Sequence, residues 1–415
     1  MKNFLEKSLI ILIVFFPISF ALNFKLFKYY SFILLINTLI NLHLNKQKIK
    51  LENIFWAYLP IFYFIHVIFL LNTKNLKAGF FDLEVKFSLL FLPILFFLSK
   101  NFFKKYFNTI LKTSFLVPFT IFTIFLIRSL INYFCTSNIN KFFYDELTYP
   151  YHPSYFAVFL TMGFLFFYNF TYDKKLKFKY LIITFYLLAI YLISSKANFL
   201  ILPIVLFIIG IYEIKGRKYI GFIYLLLLLL TLSIFLFLFN KRIYYEKVLL
   251  KENLRLLTTN DKKLNEKAYA STTVRLVLLK LSKEIIKENF LFGVGTGDIK
   301  DVLLEKYKEN GVKEALDRQL NLHNQFLETL IGQGIIGFAF LLFIFLFNFI
   351  KNLKTKNYIF LCLHIVFFIN FMFESMLNTQ AGVILYSYLC CLNFLNYEKR
   401  MEERRFHSFF TTKSG

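Results

Sequence analysis

Residues 323–350 read HNQFLETLIGQGIIGFAFLLFIFLFNFI. After Glu328 no charge appears until Lys351, so 328–350 is an apolar run long enough to cross a hydrocarbon core of about 30 Å as a helix. At its head stand His323 and Asn324, with Gly334 and Gly337 as helix-packing glycines just inside. Imidazole gains and loses its proton near neutral pH, so a histidine at a membrane surface beside a polar region is a general-base candidate. The competing reading is an interfacial histidine bonded to a backbone carbonyl.

The rest of the chain repeats this pattern. Hydrophobic residues make up 58% of 415, and the mean hydropathy is +0.58. Apolar runs are expected at 8–24, 29–44, 54–71, 84–99, 112–133, 153–170, 179–194, 197–213, 219–239, 328–350, 357–373 and 381–396. The expected fold is therefore all-α, a polytopic membrane bundle of about twelve helices with one large periplasmic loop containing amphipathic helices. The expected division is 1–239 for membrane helices 1–9, 240–325 for the loop, 326–397 for helices 10–12 and 398–415 for a cytoplasmic tail.

The net charge of +24 is spread between hydrophobic segments instead of being gathered on a polar domain, which argues against nucleic acid. With a cytoplasmic N-terminus, Lys46, Lys48, Lys50, Lys100, Lys104, Lys105, the lysines of 174–179, Lys215, Arg217, Lys218, Lys351, Lys354, Lys356, Arg404 and Arg405 all face the cytoplasm. The opposite loops are poorer in Lys and Arg, so the positive-inside rule puts His323 in the periplasm. Lys2 and Lys7 before an apolar run followed by Ser19 and Ala21 also fit a cleaved signal peptide, but an uncleaved first helix agrees better with an even number of spans. Cys135, Cys362, Cys390 and Cys391 show no metal spacing, and neither a disulfide framework nor a metal is expected.

From Thr273 onward, Val274, Val277, Leu278, Leu281 and Ile285 fall on one helical face, with Lys280, Lys283, Glu284 and Lys287 opposite and Arg275 at the border. This predicts an amphipathic helix lying on the membrane or against the bundle. Gly293, Gly295 and Gly297 then alternate in a tight turn; no strand or βαβ pattern surrounds them, which argues against a dinucleotide loop. Asp298 is expected to cap a helix bearing Ile299, Val302, Leu303 and Tyr307 on one face and ended by Gly311. Lys86 reads as an interfacial anchor, and Arg128, inside an apolar run, must face the bundle or snorkel outward. His66 and His364 read as hydrogen-bonded core residues.

The spacing His323-Asn324, nine residues, Gly334, two residues, Gly337 resembles the signature of the O-antigen ligase and polymerase superfamily, bacterial membrane glycosyltransferases that move glycans off a polyprenyl pyrophosphate. Other stretches agree. His152-Pro153-Ser154-Tyr155 resembles a His-Pro-x-Tyr element, which also serves as a plain helix-entry turn. Ser195-Lys196 stands in a short turn where related proteins carry Ser-Arg, and lysine keeps the charge while losing the planar fork. Arg275 matches an arginine that contacts the donor diphosphate. Asn289 to Asp298 resembles a Pro-Leu-x-Gly-x-Gly-x-Gly turn, and Glu374, Leu377, Gln380 and Gly382 match a further outward element.

The resemblance implies His323 as the catalytic base and Arg275 and Lys196 on the diphosphate, with Asn324, Glu374, His152 and Gln380 in support. It implies a metal-independent, inverting transfer without cofactor at the periplasmic face of the bacterial inner membrane. The donor would be a glycan on undecaprenyl pyrophosphate and the acceptor lipid A-core or another glycolipid. Two alternatives stand beside the ligase reading. One is a repeat-unit polymerase with the same motifs; the other is a transporter or flippase without chemistry, which would place its cations deep in a central cavity.

Overall fold

The structure, a computed structural model, describes residues 2–22, 24–44, 54–171, 179–193, 196–215 and 271–411. The expected span 219–239 and the first part of the loop, 240–270, lie outside the described residues. All regular structure among the described residues is helical. Helices α1 (Lys2–Val14), α2 (Phe16–Leu22) and α3 (Phe24–Leu44) come first. The expected run 8–24 breaks at Phe15, where Pro17 cannot donate the hydrogen bond that would continue the helix.

Next come α4 (Tyr58–Ile68), α5 (Leu76–Lys86), α6 (Ser88–Leu98), α7 (Lys100–Lys105), α8 (Phe107–Thr136), α9 (Tyr144–Thr148), α10 (Pro153–Thr171), α11 (Lys179–Ile193) and α12 (Lys196–Lys215). The chain continues with α13 (Ser271–Glu288), α14 (Ile299–Glu309), α15 (Lys313–Asp317), α16 (Gln325–Lys354), α17 (Tyr358–Phe373) and α18 (Gln380–Thr411). Four described helical stretches are long and apolar enough to cross a membrane: Phe55–Asn72, Phe107–Thr136, Pro153–Thr171 and Gln325–Lys354. Shorter apolar helices, Leu181–Ile193, Leu200–Gly210 and Tyr358–Phe373, accompany them, and the protein is a multi-pass membrane protein.

Helix α10 is the axis of the bundle. Within its apolar window 83% of the residues are buried, because α8, α11, α12 and α17 pack around it. Gly163 permits the close approach of α8: a Cβ there would meet the Pro118 ring at 2.6 Å. The first apolar core runs through these helices and α18, and a second, smaller core lies beside it. There Val274, Val277, Leu278, Leu281 and Ile285 pack against Leu303, Tyr307, Val312, Ala315, Leu322 and Ile331. The apolar face of α13 is thus buried against α14 and the start of α16, while Lys283, Glu284 and Lys287 remain exposed.

Several local expectations change. The run 84–99 is divided between α5 and α6, and Lys86 is not an interfacial anchor. It is 2% exposed and paired with Asp82 one turn earlier, since a buried ammonium needs a partner. Arg128 reaches the C-terminal end of α9, where it donates to the carbonyls of Tyr149, Leu147 (2.6 Å) and Glu146 (3.3 Å). His364 Nδ1 meets the Phe360 carbonyl at 2.7 Å, but both ring nitrogens of buried His66 are without a partner. Asp298 makes no side-chain cap. Its carboxylate accepts instead from the backbone N–H of Lys74 and Asn75, both at 2.7 Å, tying the loop to the entry of α5.

Gly334 is a helix break, not a packing glycine. It adopts φ +60°, ψ −161°, a conformation that essentially only glycine takes, and it kinks α16. The kink exposes backbone groups, and the 290–295 turn satisfies them. Val294 and Gly295 donate to the carbonyls of Ile331 (2.8 Å) and Gly332 (3.0 Å), while Ile335 donates to Phe290 (2.9 Å). Gly293, at φ +63°, lies so close that a Cβ would meet the Gly332 carbonyl oxygen at 2.5 Å. The alternating-glycine turn and the glycine-containing helix entry are two halves of one joint.

Candidate active site

Three loops converge at one end of the bundle: the entry to α10, the entry to α16 and the segment between α17 and α18. The convergence centres on Glu374, directly after α17 and 8% exposed. Its Oε2 lies 3.0 Å from His323 Nδ1, and its Oε1 accepts from Arg275 at 3.1 Å and from the Ser154 hydroxyl at 3.4 Å. Residues far apart in sequence, 154, 275, 323 and 374, thus meet on one carboxylate. Burial pushes that carboxyl up, but the His323 hydrogen bond and the charges of His323, Arg275 and His152 outweigh it and hold Glu374 below the usual carboxylate range.

The backbone around His323 is tightly specified. His323 sits in the left-handed region at φ +49°, which is uncommon for a side chain larger than glycine. Its N–H donates to Asn321 Oδ1 at 3.0 Å. Asn324 caps α16: its Oδ1 accepts from Leu327 N–H at 3.1 Å, and its Nδ2 donates to the Met372 carbonyl at 3.2 Å. A backbone bond from Asn324 to the Ser375 hydroxyl, 3.2 Å, adds a second tie to the loop carrying Glu374. The His323 side chain keeps 24% of its surface exposed, so the ring is held on one side and reachable on the other.

The remaining candidates are placed differently. His152 is exposed at the entry to α10 and stacks edge-on against Tyr155, with ring centroids 5.4 Å apart. It acts on Glu374 by charge, not by direct bonding. Gln380 begins α18 and lines a different cavity of about 220 Å³, with Lys28, Ser31, Glu84, Ser88 and apolar side chains. Lys196 is the first residue of α12, not part of a turn, and its side chain lies outside the described residues. Among the described residues, no group of three or more His, Cys, Asp or Glu stands together to hold a metal.

Sequence reading passed over Ser154, Gln325, Glu328 and Ser375. Gln325 Oε1 accepts from Leu377 N–H at 2.6 Å, and Glu328 accepts from Leu322 N–H and the Ser375 hydroxyl. Glu328 had a signal: an ionisable residue one turn inside a membrane helix asks for a reason.

Residues 181–342 match the family model described as O-antigen ligase. Over these residues the chain is similar to the O-antigen ligase superfamily. The match takes in Lys196, Arg275 and His323; Glu374, Ser154 and His152 lie outside it, so the fold brings matched and unmatched residues into one cluster. The chain is also similar to an uncharacterised protein of Haemophilus influenzae strain Rd, 32% identical over 111 residues. That likeness covers 24% of this chain and 28% of the relative's length.

Proposed function

We propose that this chain is an O-antigen ligase-like glycosyltransferase that moves a glycan from undecaprenyl pyrophosphate to a hydroxyl of lipid A-core at the periplasmic face of the inner membrane. The observation that carries the reading is the shared carboxylate: Glu374 holds His323 through Nδ1 and Arg275 through a terminal nitrogen. With Nδ1–H donating to the carboxylate, His323 Nε2 carries the lone pair and serves as general base. The acceptor oxygen attacks the anomeric carbon and its proton passes to Nε2. The bond from that carbon to the diphosphate oxygen breaks, and Arg275 and Lys196 hold the departing diphosphate. A single displacement inverts the anomeric carbon. Side-chain cations do the work that a metal does in other phosphate chemistry, so the transfer should persist in excess chelator.

The proposed frame is twelve spans with a cytoplasmic N-terminus, divided as 1–239, 240–325, 326–397 and 398–415, with the site on the periplasmic side. The test is glycolipid analysis of a deletion strain. Loss of all long glycan on lipid A, with polyprenyl-linked polymer retained, supports the ligase; single-repeat glycan on lipid A moves the assignment to a polymerase. An impermeant thiol reagent should label cysteines placed at Asn310 and Asn378 in intact spheroplasts, and protection of both overturns the orientation.

A further inference from the structure

The two loops that carry His323 and Glu374 are joined beneath the site by a side chain that touches neither. Glu328 lies in α16, four residues after the Asn324 cap, and is 2% exposed. Its Oε1 accepts from Leu322 N–H at 3.0 Å and from the Ser375 hydroxyl at 3.1 Å. The Ser375 oxygen in turn accepts from Asn324 N–H at 3.2 Å. The residues on both sides of His323, and the residue after Glu374, are therefore fixed to one carboxylate oxygen.

We propose that Glu328 is a positioning residue for the transfer: its Oε1 clamps the 322–324 loop to the 374–375 loop and so sets the approach of His323 to Glu374. Three observations support the role. His323 sits at φ +49°, a conformation that persists only where neighbouring bonds over-determine it. The donors on either side of it, Leu322 N–H and Asn324 N–H, are the ones that reach the clamp, directly and through Ser375. And a buried polar group one turn inside a membrane helix is costly to retain unless it is bonded, as Glu328 is. An apolar side chain of the same length would leave the Leu322 N–H and the Ser375 hydroxyl without their acceptor.

The inference rests on the assignment of His323 as base, and the experiment separates the two. Because both loop bonds fall on Oε1, Glu328→Gln keeps that acceptor, while Glu328→Met removes it, together with the bond from Asn378, at similar volume. With purified protein, a polyprenyl-diphosphate glycan donor and a lipid A-core acceptor, Glu328→Met should lower kcat by about 10–100-fold with donor KM within about twofold. Glu328→Gln should stay within about threefold of wild type. In a His323→Ala background Glu328→Met should cost less than about twofold more, because a residue acting through His323 has nothing left to position. A fully additive loss there, a Gln variant as poor as Met, or a folded and fully active Met variant each overturns the clamp.

If Glu328→Met does not fold, Ser375→Ala, alone and combined with His323→Ala, gives the same reading. It removes one arm of the clamp and should lower kcat about 3–10-fold in wild type and not in the His323→Ala protein; an unchanged kcat overturns the clamp. A fully active His323→Ala protein instead overturns the base assignment, independently of the Glu328 variants.

Discussion

The two polar ends of the bundle are wired with opposite sign. At the end carrying His323, one nearly buried carboxylate, Glu374, is bonded by Arg275 and His323, with the charge of His152 also acting on it. At the other end one nearly buried ammonium, Lys104, lies between two carboxylates, 2.7 Å from each of Glu398 and Glu402, and Glu398 also accepts from the Trp56 indole at 3.0 Å. Lys104 is outnumbered by its partners and its charge is spent. Glu374 instead pairs with one full cation, Arg275, and with the imidazole of His323. A guanidinium that pairs with one carboxylate and keeps 24% of its side chain exposed stays reachable by a ligand that brings its own negative charge, whereas a cation enclosed by carboxylates is a structural tie.

The largest effect should come from His323. Replacing it with alanine should lower turnover by about two to four orders of magnitude, the range of a positioned general base, while donor affinity stays near wild type. Steady-state kinetics with a separate donor-binding assay decides the matter; normal turnover would move the base role to another group at that end.

The comparison sharpens next with one cation from each end. Arg275→Ala should reduce kcat/KM for the donor by about 100-fold, because a cation on a diphosphate acts in the ground state and more strongly as charge develops on the leaving group. Lys104→Ala should leave transfer within about twofold and show only as a lower Tm, worth about 1–2 kcal/mol for a partly exposed network that loses its central charge. If Lys104→Ala lowered turnover in a fully folded protein, the division into a reactive and a structural end would fail.

Much of this was legible in the chain. The apolar runs announced a multi-pass helical protein, since hydrocarbon solvent leaves the backbone no other open choice. His323 stood out where a polar stretch meets an apolar helix, and Arg275 at the border of an amphipathic face, where the resemblance to the family gave it a role. What sequence could not show was partnership. Glu374 and His323 are 51 positions apart, and only the packing of α16 on α17 makes them neighbours. Asp298 was assigned to its own helix because capping is a local rule, yet its carboxylate serves a loop more than 220 positions away. Lys86 looked like a surface anchor because its Asp82 partner, although one turn away, does not reveal burial.

A third prediction tests the joint that supports the reactive end. Gly334→Ala puts a side chain where φ is +60° and where its Cβ would collide with the Leu291 carbonyl oxygen. The backbone alone should cost about 1–3 kcal/mol. The expected result is a fall in Tm in detergent, with turnover reduced in the protein that remains folded, because the same joint leads from the 290–295 turn into the His323 helix. An unchanged Tm would show that the kink is not needed to seat the turn.

The smallest effect is a pH dependence, and its sign separates the two forces on Glu374. Burial alone would raise the carboxyl, and such a group would destabilise the fold while charged, so acid would help. Hydrogen bonding and cationic neighbours instead hold it below the usual range, so the folded state favours the charged form. The stabilisation is then fully present above the unfolded value of about 4.3 and is lost as pH falls through the lower folded value. Tm measured for wild type and Glu374→Gln should therefore differ by a roughly constant margin near pH 5, and the margin should shrink below about pH 4, by a few degrees at most. A margin that grows on acidification would mean that burial, not the His323 hydrogen bond and the Arg275 charge, governs Glu374.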